Sequence, residues 1–133
     1  MASSIKPQVL QEFNNQFFEF VDDIYRIFPN QYEIKTTRMF VTVMSKMKPT
    51  FIIEFVKGYI ITPYGSYIKE GNLDFFSNND FSNDSNVGGS DYVLDKIKLV
   101  TKYINMMSDS QKETVVVYLQ NMAELCELYY SSS

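Results

Sequence analysis

One run of thirteen residues sets the strongest limit on how this chain can fold: Pro49-Thr50-Phe51-Ile52-Ile53-Glu54-Phe55-Val56-Lys57-Gly58-Tyr59-Ile60-Ile61. Wound at helical pitch, it carries apolar side chains on nearly every side, so a helix here has to be enclosed on most of its circumference. A bilayer crossing takes roughly 20 such residues, so the enclosing material must be protein. The run therefore predicts a central buried helix at 49–61 and demands further helices to cover it. Pro49 is tolerated in a first helical turn. Gly58 costs about 1 kcal/mol against alanine in a helix and marks close packing or an approaching end. Thr62-Pro63 reads as a break and a new start, with threonine as cap.

The rest of the chain supplies the cover. Residues 1–7 read as a loose arm ending in Pro7. From Gln8 to Phe28, Leu10, Phe13, Phe17, Phe20, Val21, Ile24 and Phe28 recur at three- and four-residue steps, which is one helical face. Glu12, Asn15, Glu19, Asp22, Asp23 and Arg26 fall mostly opposite. Pro29 ends that helix, since proline cannot continue the hydrogen-bond ladder. Asn30-Gln31-Tyr32-Glu33 has the form of a capping box and opens a helix to Met47. Its apolar members are Ile34, Met39, Phe40, Val43, Met44 and Met47, against a basic-polar stripe of Lys35, Arg38, Thr42 and Lys46. Its β-branched residues lower its intrinsic propensity, so packing must hold it.

Beyond Pro63, Tyr64, Tyr67 and Ile68 make one face of a short helix to Glu70, closed by Gly71 as C-cap. Leu73-Asp74-Phe75-Phe76 reads as another short turn whose aromatics fold back on the core. Residues 77–90 are a long polar loop and the one low-complexity stretch. Ser90-Asp91 caps a helix to Met107, with Val93, Ile97, Val100, Ile104 and Met107 as its stripe and Lys96, Lys98 and Lys102 outward. Ser110-Gln111-Lys112-Glu113 has the form of a second capping box. The last helix runs from Gln111 to Tyr130, with Val115, Leu119, Met122, Leu125, Cys126 and Tyr129 inward, and 131–133 are a serine tail. The short links at 29 and 108–109 imply antiparallel neighbours. No strand pattern and no internal repeat occur. The expectation is a single all-α domain spanning 1–133, a compact bundle of about five main helices with one or two short ones.

Side-chain inventory narrows function. The chain has 133 residues, enough for one domain. It holds 11 Phe and 10 Tyr without a Trp; any surplus beyond what one small core hides would lie in a protein–protein interface, where aromatics are enriched. There is no histidine and one cysteine, Cys126. That excludes an intrachain disulfide, a Cys–His pair, a Ser-His-Asp triad, an imidazole base and the familiar zinc sites. Cys126 lies on an apolar helical pattern and reads as a small core residue. No GxxxxGK[ST], GxGxxG, CxxC or GxSxG occurs. The net charge is −4, shared unevenly: seven basic and six acidic residues in 1–62 give +1, and five basic and ten acidic in 63–133 give −5. Residues 1–8 lack the apolar run of a signal peptide, so the expected setting is a soluble intracellular one.

Four constellations invite a functional reading. Asp80, Ser82, Asp84, Val87 and Asp91 loosely echo a calcium loop, but Ser85 stands where the turn needs glycine and Asp91 where a bidentate glutamate belongs. Glu19, Asp22 and Asp23 form a carboxylate group on one helix, with Arg26 three and four residues on as a surface partner. Lys35, Arg38, Lys46 and Lys48, near Tyr32, offer cations for phosphates, though nucleic-acid modules present denser charge. Met44, Met47, Met106, Met107 and Met122 sit at or near core positions and read as core filling. None of these amounts to a catalytic, cofactor-binding or metal-binding set, and the expectation is a protein that is not an enzyme and takes no cofactor.

An aromatic-rich first helix ending in Phe28-Pro29, then Lys-Pro-Thr-Phe-Ile-Ile-Glu-Phe at 48–55, Pro63-Tyr64, Ile68 and Asn72-Leu73-Asp74-Phe75-Phe76, resembles small helical proteins encoded by large DNA viruses of algae and protists. The resemblance spans residues 13–129 and carries no catalytic residues. It implies a small virion component, a minor capsid or assembly protein, whose partners are other proteins or itself. A helical adaptor that blocks a host pathway by binding a partner helix is the alternative, and nucleic-acid binding ranks below both.

Overall fold

The computed structural model describes residues 5–73 and 91–132, the side chains of 91–94, 96 and 97 excepted. Its elements are α1 (Lys6–Ile27), α2 (Tyr32–Met47), α3 (Phe51–Val56), a π-helical segment (Lys57–Ile61), α4 (Thr62–Lys69), α5 (Asp91–Asn105) and α6 (Asp109–Ser131). Since α3, the π segment and α4 follow one another without a gap, the described residues form five helical rods, the third kinked at Tyr64. The described residues contain no strand. The all-α bundle expected from periodicity is the fold.

Several boundaries differ from the sequence reading, each for a local reason. Pro7 lies in the first turn of α1, not at the end of a loose arm; it has no N–H to satisfy there, so it starts the helix well. Residues 74–90, which include the aromatic turn and the polar loop, lie outside the described residues. The box expected at Asn30-Gln31-Tyr32-Glu33, with Asn30 as cap, does not form: the helix starts one residue later, with Gln31 as N-cap and no side-chain capping bond, and the Gln31 Oε1 accepts from the Tyr103 hydroxyl at 3.2 Å. The second box is real but sits two residues earlier than expected. Ser108 Oγ accepts from the Gln111 N–H at 3.2 Å, and the Gln111 Oε1 accepts from the Ser108 N–H at 2.9 Å.

The break expected at Thr62-Pro63 falls one residue later, as a kink at Tyr64, whose backbone leaves helical geometry at φ −126° and ψ 15°. A proline ring crowds the carbonyl four residues before it, here that of Tyr59, which lies in the π segment. The wider π turn gives the chain room for the ring, so helix continues through it. Thr62 is therefore inside the helix and caps nothing. Gly58 is neither a close-packing glycine nor an end: it lies in the π segment with open space around the position a Cβ would take. Gly71 does close α4 as expected. It adopts φ +72°, and the Asn72 and Gly71 N–H groups return to the carbonyls of Tyr67 and Ile68 at 2.9 and 3.0 Å, the paired bonds of a Schellman end. Gln120 of α6 adds a bond from its Nε2 to the Ile68 carbonyl at 3.1 Å.

The core is built around α3. Ile52 and Ile53 are 1 % and 0 % exposed, and Phe13, Ile68, Tyr103, Ile104 and Met122 are as deeply buried. The central position of the 49–61 run thus rests on Ile52, Ile53 and Val56, while Phe51, Phe55, Tyr59, Ile60 and Ile61 are half-buried. α1 and α6 pack along each other more extensively than any other two elements, and α1 also packs on α2 and α3. On α6, Val115, Leu119, Met122 and Cys126 face in, as their spacing predicts.

Candidate interaction surface

The face that α2 turns to the core is not the one its apolar residues suggest. Ile34 and Val41 are its buried members, with Thr37, Arg38, Met44 and Ser45 half-buried between them. Tyr32, Met39, Val43 and Met47 are 73 %, 59 %, 56 % and 75 % exposed. With Thr36, which is also exposed, they follow one another at three- and four-residue steps and form an apolar stripe on the outside.

Cross-helix chemistry fixes that rotation. Arg38 Nε donates to Asp22 Oδ1 at 2.5 Å and its Nη2 to Asp22 Oδ2 at 3.3 Å. The same guanidinium lies 5.0 Å from the Phe18 ring centre. Turning α2 to bury Val43 and Met47 would carry Arg38 away from both. The basic stripe read from the sequence is therefore split. Arg38 is committed to α1, and Lys48 pairs with Glu54 at 2.9 Å, lowering the Glu54 carboxyl pKa. Lys35 and Lys46 remain on the exposed side.

Next to the stripe lies an apolar groove of about 500 Å³ between α1, α2, α3 and the far helices. Phe17 and Val21 of α1, Phe40 and Thr37 of α2, and Phe55 and Tyr59 of the central rod line it. Phe40 joins stripe and groove: it is partly exposed and meets the Phe51 ring edge-on at 6.4 Å. Phe51, Phe55 and Tyr59 then follow as a ladder of rings 6.3 and 5.1 Å apart. The Thr37 hydroxyl is buried without a hydrogen-bond partner. Apolar side chains thus follow one another from Met47 through Phe40 and Phe51 to Phe55 and Tyr59.

The other sequence candidates fall elsewhere. Of the carboxylate group, Asp22 and Asp23 are half-buried, not exposed as their position opposite the apolar stripe suggested. Asp23 pairs with Arg26, as its spacing predicts, and also accepts from the Tyr118 hydroxyl. Burial and the Asp23 carboxylate push the Tyr118 pKa up to about 12. Asp22 turns to Arg38 instead of Arg26. Asp80, Ser82 and Asp84 of the calcium-like loop lie outside the described residues, among which no group of three metal-ligating side chains occurs. Met107 and Met122 fill the core as expected, but Met47 and Met106 are exposed. The Cys126 thiol is 2 % exposed, and burial pushes its pKa up. It lies beside a second hollow, of about 800 Å³, between the π segment, α4 and α6, where Lys57 and Lys69 face Glu124 and Glu127. No described helix is long and apolar enough to cross a membrane.

Sequence reasoning missed Tyr103, which is 1 % exposed and ties α5 to Gln31, and the outward turn of α2. The signal for the latter was present: Ile34 and Val41 are seven residues apart, with Thr37 and Arg38 on the same side, and Asp22 offered that arginine a carboxylate. Comparison with protein-family models, with curated proteins and with solved structures finds no match.

Proposed function

We propose that this protein is a non-enzymatic interaction protein that works through the apolar surface running from the outer face of α2 into the groove beneath it. The observation that carries the reading is the exposed stripe Tyr32–Met39–Val43–Met47, because large apolar side chains gathered on one helix face mark contact surfaces. The resemblance of residues 13–129 to helical proteins of large DNA viruses supports a virion or its assembly, inside the host cell, as the setting. The test is a photo-reactive amino acid introduced at Val43, with exposed Glu12 of α1 as control, in cells that make the protein. Discrete cross-linked products at 43 and not at 12, and enrichment of the protein in purified particles, are expected. Equal background at both positions would remove the reading.

The groove specifically favours the adaptor alternative, in which a partner's amphipathic helix docks there. Phe40, Phe55 and Tyr59 offer it aromatic walls and the Thr37 hydroxyl one hydrogen bond. Phe55→Trp places a single tryptophan in a chain that has none; a blue shift of its emission on adding the partner's helix as a peptide, with loss of binding in Thr37→Val, is the outcome this alternative requires.

A further inference from the structure

We propose that the partner of the α2 stripe is the outer face of α6 on a second copy of this chain, so that copies associate head to tail. The inference rests on the reading of α2 as a contact surface and goes on to name what covers it.

Charge decides between the candidate faces. Lys35 and Lys46 are exposed along one edge of the α2 stripe, and by helical spacing Glu33 lies on the other. The outer face of α6 carries Val117 and Leu128, 54 % and 43 % exposed, at the spacing of one stripe with Asn121 and Glu124. Glu113, Glu124 and Glu127 are all exposed on or beside it, the last two on the side of α6 that also borders the hollow lined by Lys57 and Lys69. The apolar stripe edged by lysines thus has a counterpart in α6, where Val117 and Leu128 stand with Glu124 between them and Glu113 and Glu127 to one side. The alternative, α2 against α2 about a two-fold axis, fits worse. In the antiparallel arrangement the lysine edges meet each other, and in the parallel one Lys46 finds no acid at its own level. Like charges set opposite one another work against association.

Because two different faces meet, the contact is heterologous: it does not saturate at a dimer but continues into rings or filaments. A face about 24 Å long and one helix wide is smaller than the roughly 800 Å² per partner of a standard stable interface. The association is accordingly weak, reversible and driven by high local concentration, which suits a repeated component of an assembly.

The test is sedimentation of the full chain and of two variants, Val43→Glu on α2 and Val117→Lys on α6, each setting a like charge against the other face. Circular dichroism checks that these exposed positions leave the fold intact. The wild type is expected to form species beyond a dimer as concentration rises from micromolar to millimolar. Each variant alone should associate at least about tenfold more weakly, as a charge left unpaired in a contact requires. Mixing the two variants should restore association, since each retains the face the other lacks. The charge reversals Lys46→Glu and Glu124→Lys, weak singly and recovering when mixed, give a second route to the same answer. If Val117→Lys associates like the wild type while Val43→Glu does not, the α6 face is not the partner and the pair is symmetric. If the wild type stays monomeric at millimolar concentration, a second copy is not the occupant; cross-linking from position 43 to another protein then leaves the interaction reading standing alone.

Discussion

Arg38 holds Asp22 through two hydrogen bonds, at 2.5 and 3.3 Å, across the α1–α2 contact and sixteen residues of chain. That pair orients α2. It keeps the Arg38 side of the helix on the bundle and leaves Met39, Val43 and Met47 outside. Both side chains are 40 % exposed, so solvent screens the attraction and its value lies in geometry more than in energy.

Arg38→Ala is therefore expected to cost about 0.5–1 kcal/mol in urea unfolding, with Asp22→Asn similar and the double variant no worse than either. Arg38→Lys should not rescue, because an ammonium cannot supply the paired donors. Additive losses in the double-mutant cycle would show that the two residues act separately.

Tyr118 predicts a particular alkaline behaviour. Its folded-state pKa of about 12 lies above the ordinary value of 10.0, so folding favours the neutral phenol. The associated stability is full below pH 10 and is lost as pH rises toward 12. Tyr118→Phe should flatten the fall in urea midpoint over that window and remove one late step from the tyrosinate absorbance titration. An unchanged slope would mean that Asp23 and burial do not act on this hydroxyl.

Gly58 within the central rod and Gly71 just past its end should respond in opposite directions. Gly58 has open space where a side chain would go and helical neighbours on both sides, so Gly58→Ala should stabilise by about 0.5–1 kcal/mol. Gly71 sits at φ +72°, where an L side chain costs roughly 1–2 kcal/mol, so Gly71→Ala should destabilise by that order. Thermal melts of the two variants, shifted to opposite sides of the wild type, check both.

Cys126 should behave as a core atom. Its thiol is expected to resist an aromatic disulfide reagent in the native protein and to react fully once urea unfolds the chain. Cys126→Ser, which buries a hydroxyl in an apolar site, should cost roughly 1–3 kcal/mol. Rapid labelling under native conditions would contradict the packing of α6.

Helix content was legible because it is local. The three- and four-residue recurrence in 10–28, the prolines at 29 and 49 and the glycine at 71 each constrain a few neighbouring peptide units, and the structure follows them to within a few residues. Capping was less legible. Asn30 through Glu33 has the residues of a box, yet the helix starts one residue later and Gln31 pairs with Tyr103, seventy-two positions away; no local pattern announces a partner that distant. Of the candidate surface, the sequence offered a surplus of aromatics, an uneven charge and the seven-residue spacing of Ile34 and Val41 beside Arg38.

By itself, then, the sequence determined that this chain is a helical bundle and that the 49–61 run supplies its centre, since covering so apolar a helix leaves few other solutions. Which side of α2 faces that centre was left to the tertiary structure. Apolar residues lie on two sides of α2, and hydrophobic burial alone, being non-directional, does not choose between them. Burial of Ile34 and Val41 and the directional contacts of Arg38 with Asp22 and with the Phe18 ring favour the same side, and together they leave the stripe where another molecule can reach it.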